Sequence, residues 1–193
     1  MYNTNNQRIS WIIVKGEFIV NNTKKLVLSA LFMALGIVLP FFTGQIPQFG
    51  NMLLPMHIPV LLCGFICGAP YGFMVGFTVP LLRSIMFGRP VMFPTAMGMV
   101  VELAMYGLVA GAMYATFHNK KFGIYISLIT AMISGRILWG AASFFFYKVL
   151  GNVFTWEFFM AEAFFNAIPG IIIQLTLIPA LIFLLKKAHL LDN

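Results

Sequence analysis

Three ionisable side chains, Arg83, Glu102 and Arg136, stand inside stretches of apolar residues long enough to cross a bilayer. A charge at mid-membrane costs about 2.5–3.5 kcal/mol on insertion scales, so such groups face a partner, a cavity or a ligand rather than lipid. Guanidiniums present planar, forked donors that match carboxylates and phosphates. With Arg89 on an adjoining loop, three guanidiniums are set against one nearby carboxylate, and one Glu cannot neutralise them all. The chemistry these types point to is capture of a small anion, with Glu102 organising the arginines rather than touching the ligand. The competing use is a structural ion pair, because buried charges are normally paired.

Four further polar or aromatic residues accompany them. His57, in LLPMHIPVLL, stands at the start of an apolar segment, where it serves either as a ligand contact or as a helix-end group bonded to backbone. Asn166 is placed where an amide orients a ligand or bonds across helices, while the deeper Gln174 reads as structural. Tyr106 and Trp139 lie one helical turn from Glu102 and Arg136 and supply aromatic surface, to a cavity wall or to the core. Cys63 and Cys67 share a helix face without His or carboxylate neighbours, a poor metal site, and read as small packing residues.

The elements that must position these groups are membrane helices. Of 193 residues, 61% are hydrophobic and 9% charged, against about a quarter charged in soluble domains, which excludes a soluble fold. The net charge of +7 comes from residues scattered at the ends of apolar runs, not from a basic patch interleaved with aromatics, so it argues for membrane topology and against nucleic acid. Measured against the roughly 20 residues a span requires, the apolar runs predict an all-α bundle of six transmembrane helices, near 25–42, 54–69, 71–88, 94–117, 122–149 and 159–186. A polar tail over 1–24 precedes this single domain of 25–187, and 188–193 form a short C-terminal tail. Pro55, Pro59, Pro80, Pro94, Pro169 and Pro179 predict bent helices, not interrupted ones.

Lys24 and Lys25, Lys120 and Lys121, and Lys186 and Lys187 fall on one side of a six-span scheme, which places both termini on the cytoplasmic side of the membrane. At the helical rise per residue, Arg83, Arg136, Glu102, Asn166 and His57 then reach one level in the outer half. Groups at one level of a small bundle converge on a pocket that opens outward.

On these residues the chain resembles the substrate-binding S component of an energy-coupling factor (ECF) vitamin transporter. The resemblance covers Asn22 to Lys187 and rests on KKLVLSALFMALGIVLP, on LPMHIPVLLCGFICGAPYGFMVGF and on VVELAMYGLVAGAMY, the last two being most similar to pantothenate-type members. It implies a subunit that binds its vitamin from outside and topples in the membrane to deliver it. It also implies docking of a transmembrane T component on Ala30 and Ala34, with energy from two ATPase subunits. Pantothenate, a small acid with hydroxyls and an amide, is the substrate it favours, beside pyridoxine-type compounds, riboflavin and cobalamin. The small-residue spacing Ala30-x-x-x-Ala34 in any case lets another helix approach closely. No Walker motif is present, so ATP hydrolysis is not expected of this chain.

Two other classes compete. An intramembrane enzyme needs paired catalytic groups within hydrogen-bond reach, and one buried acid with scattered histidines makes a poor inventory for it. An autonomous secondary transporter would show inverted repeats with matching broken helices, and no such repetition is evident. The expectation is therefore a binding subunit, neither enzyme nor cofactor protein.

Overall fold

The computed structural model describes residues 4–43, 52–120, 122–151 and 155–188, with side chains described from Asn22 onward and not at Thr43. The chain is all helical over these residues. The helices are α1 (Thr4–Thr43), α2 (His57–Cys67), α3 (Ala69–Phe87), α4 (Met97–Phe117), α5 (Gly123–Val149), α6 (Trp156–Met160) and α7 (Ile168–Lys187). Single π-type turns, Met92–Ala96 and Ala161–Phe165, lead into α4 and join α6 towards α7, so the seven make six helical bodies.

Four bodies are long and apolar enough to cross a membrane: Asn22–Phe42, Met92–Phe117, Gly123–Val149 and Trp156–Lys187. The expected tail is, from Thr4 on, part of the same helix that carries the first span. The second expected segment is shorter than its apolar run, because α2 holds 11 residues. At 1.5 Å per residue it covers roughly 16 Å, about half of the hydrocarbon core.

Local chemistry sets these limits. Gly68, at φ +98°, ends α2 in a conformation that residues with a Cβ avoid, while Pro70 in the first turn of α3 fixes a helical φ where no donor is needed. Gly88, at φ +66°, closes α3 by donating its N–H to the Ser84 carbonyl at 2.9 Å. Thr155 caps α6 by accepting the Phe158 N–H at 3.2 Å.

Helix α4 is the centre of the bundle and packs on α2, α3 and α5, with α1 against α2 and α3, and α7 against α2 and α5. Glycines bring the central three into backbone contact. A Cβ on Gly64 of α2, Gly72 of α3 or Gly107 of α4 would each collide with backbone of a neighbouring helix, as would one on Gly76 or Gly111. Lipid tails are as apolar as Leu, so close packing of small residues, not hydrophobicity, holds such helices together. Helix α2 is almost wholly enclosed, with Val60, Leu61 and Cys63 at 0% exposure, and Leu103, Tyr106, Leu128 and Ile178 complete the core.

Candidate functional site

Helices α2, α4 and α5 bring one polar cluster together in this apolar core. Glu102 and Tyr106 lie one turn apart on α4, so they share a face. Arg136 reaches Glu102 from α5, its Nη1 lying 3.0 Å from Glu102 Oε1. His57, the first residue of α2, places Nε2 3.4 Å from the same oxygen and its ring edge-on to Tyr106, with centroids 5.3 Å apart. All four side chains are buried, at 0–7% exposure. Gly135 explains how Tyr106 fits, because a Cβ there would overlap the phenol ring.

The cluster is dense in polar atoms and poor in well-directed bonds. Buried His57 Nδ1 and Nε2, Glu102 Oε1, Tyr106 Oη, and Arg136 Nε and Nη2 lack an aligned hydrogen bond, although the Tyr106 side chain interacts with both Glu102 and Arg136. The contacts of Glu102 Oε1 are thus close enough for an ion pair without being aligned bonds. Burying a polar group without a bond costs about 1–3 kcal/mol, so a group of several marks a candidate site. The guanidinium edge, the phenol and the imidazole supply donors, and the imidazole and carboxylate supply acceptors.

An aromatic wall lies one turn further along α5. Trp139 packs against Gly98 of α4 and stacks on Phe159 at 6.0 Å and 25°, and Trp156 lies 5.3 Å from Phe159. The absence of a Cβ at Gly98 and at Gly140 makes room for Trp139 and Phe159 respectively.

The remaining expected residues do not join the cluster. Arg83 turns to α1, donating Nη1 to the Ile37 carbonyl, with its guanidinium 4.8 Å from the Phe41 ring and 5.9 Å from Phe87. It ties α3 to α1, and the structure places it against these groups instead of against Glu102. Arg89 is exposed on the segment after α3. Asn166 donates to Glu162 Oε1 at 2.9 Å within its own helical stretch, on an exposed side. Of the three guanidiniums expected around one carboxylate, Arg136 is the one that contacts Glu102 among the described residues, and Glu162 adds a second carboxylate close enough to act on it.

Two further features bear on this region. Gln174, read as structural, is fully buried with neither amide atom bonded. The glycine seam follows Gly72-x-x-x-Gly76 and Gly107-x-x-x-Gly111, the same small-residue spacing as Ala30-x-x-x-Ala34 in the first helix.

Among known protein families, the one described as "ECF transporter, substrate-specific component" has a model that matches residues 24–182. No curated protein and no solved structure matches the chain.

Proposed function

The chain belongs to the substrate-specific components of ECF transporters, and from that premise we propose that His57, Glu102, Tyr106 and Arg136 form the heart of its vitamin site. Components of this family are membrane transport subunits that work with a T component and ATPase modules. The observation that carries the assignment is the group of polar atoms without aligned hydrogen bonds, enclosed where α2, α4 and α5 meet. A vitamin with donors and acceptors of its own completes their bonds, and Trp139 with its stacked partner Phe159 supplies apolar surface beside them.

Pantothenate is the first candidate, through the free Nε and Nη2 edge of Arg136, which suits a carboxylate, and through hydroxyls and an amide that suit Tyr106 and His57. A second reading, a pyridoxine-type neutral compound, is favoured by one observation: Glu102 already balances Arg136, so the cluster carries no surplus positive charge. Riboflavin and cobalamin are the remaining members of the panel.

Calorimetry on the purified protein with the four vitamins separates these. Arg136→Ala should weaken the tightest of them by about tenfold or more, the value of a charge-assisted hydrogen bond. Unchanged affinity would remove the cluster from the site. The vitamin enters from the outside, with both termini in the cytoplasm, as the lysine-rich ends support.

The T component docks on α1. Leu26, Ala30, Ala34 and Val38 recur every four residues and are exposed, whereas Ser29, Phe32, Gly36 and Pro40 face inward. The outward stripe has small residues at its middle, where a partner helix can approach closely. Delivery by toppling against that partner is part of the same reading.

A further inference from the structure

We propose that Gln174 is a ligand-contacting residue of the same site, recognising a group that both donates and accepts a hydrogen bond, such as an amide or an alcohol. This rests on the reading of the His57–Glu102–Tyr106–Arg136 cluster as the vitamin site.

Among the described residues, the buried side-chain nitrogen and oxygen atoms that lack a partner belong to five residues. Four of them make up the cluster, and the fifth is Gln174, with both Nε2 and Oε1 unbonded at 0% exposure. Amides inside membranes ordinarily bond across helices. This one does not, so the usual structural role lacks its bond, while the cost of burying the amide is still borne.

Its direction follows from α7. Gly170, Gln174, Ile178 and Ile182 are buried at four-residue intervals and so form one stripe. At the head of that stripe, Gly170 donates its N–H to the Met52 carbonyl at 2.9 Å, and a Cβ there would press on Leu54. Leu54 in turn accepts the N–H of His57 at 3.0 Å. Gln174 thus sits one turn along a face that is turned to the start of α2, where the cluster begins. A primary amide offers two N–H donors and a carbonyl acceptor, a set that none of the four cluster residues supplies.

The test pairs affinity with stability of the unliganded protein. Gln174→Leu and Gln174→Met remove the amide at similar volume, the second keeping an unbranched chain, and Arg136→Ala reports on the parent reading. Whichever of pantothenate, pyridoxine, riboflavin and cobalamin binds the parent protein tightest serves as the probe in calorimetry. The expected result is an affinity loss of about tenfold for both Gln174 variants. Their unliganded melting temperature should be unchanged or raised by about 2–4 °C, because an unbonded buried amide has been removed. Unchanged affinity in the Gln174 variants beside a loss in Arg136→Ala would overturn this proposal alone. A melting temperature lowered in both Gln174 variants, with affinity lost, would make the residue structural and overturn it too. Unchanged affinity in all three variants, or no binding of any probe, would overturn the parent reading as well.

Discussion

Arg136 and Glu102 illustrate why a buried pair is a poor stabiliser and a good platform. Taking both charges out of water costs several kcal/mol per ion, which their attraction repays only with excellent geometry, and here the contact at 3.0 Å leaves Arg136 Nε and Nη2 unbonded. Removing one partner leaves the other charge bare. Glu102→Ala should therefore lower stability by about 3–5 kcal/mol, read by thermal unfolding in detergent, whereas Glu102→Ala with Arg136→Ala should recover part of that loss. A double-variant loss equal to the sum of the Glu102→Ala and Arg136→Ala losses would mean that the two charges do not act on each other. Arg83 makes the contrast. It has a carbonyl and two rings as neighbours, all on α1 and α3, so it acts as a tether between helices. The residue types that carry the site were legible in the sequence, since intramembrane charge stands out against apolar surroundings. Their grouping was not. Depth follows from counting residues, but rotation about the helix axis does not, because lipid and protein core are equally apolar and leave no polar face to orient by. Residue counting puts Arg83 and Arg136 at one level, yet they face different neighbours.

The elements were read from apolar run length, which locates helices well and their ends less well. Helix α2 shows the limit: Leu54, Pro55 and Met56 continue the apolar run but lie outside the helix, which begins at His57 and ends before Gly68. That late start puts His57 at a helix terminus next to Glu102. The glycine seam fixes how α2, α3 and α4 sit, and hence where Glu102 and Tyr106 point. Gly107→Ala would drive a methyl group into the Gly72 carbonyl, so the helices must part. The expected cost is about 1–3 kcal/mol in unfolding, accompanied by weaker vitamin binding. Gly151→Ala supplies the comparison, since nothing lies within 4 Å of a Cβ there and its left-handed φ of +72° is the sole penalty. If Gly107→Ala proved no more harmful than Gly151→Ala, close approach along the seam would not be what positions the site.

At the scale of the whole molecule, the fold separates two surfaces. The polar cluster is enclosed by α2, α4 and α5, while the Ala30 and Ala34 stripe lies on the exposed side of α1. If the cluster binds and the stripe docks, as proposed, the two are separable by mutation. Ala30→Trp or Ala34→Trp should leave vitamin affinity within about twofold, as expected of a substitution remote from the site, but abolish ATP-dependent uptake once T component and ATPases are present. Loss of both activities together would point to misfolding instead of blocked docking.

The most direct test of the central claim is mass spectrometry of the small molecule that co-purifies with the protein, compared among the parent, Arg136→Ala and Arg83→Ala. The account predicts one vitamin-sized compound in the parent, its retention in Arg83→Ala and its loss in Arg136→Ala. The same compound retained in Arg136→Ala and lost in Arg83→Ala would contradict it and move the site to the α1–α3 side.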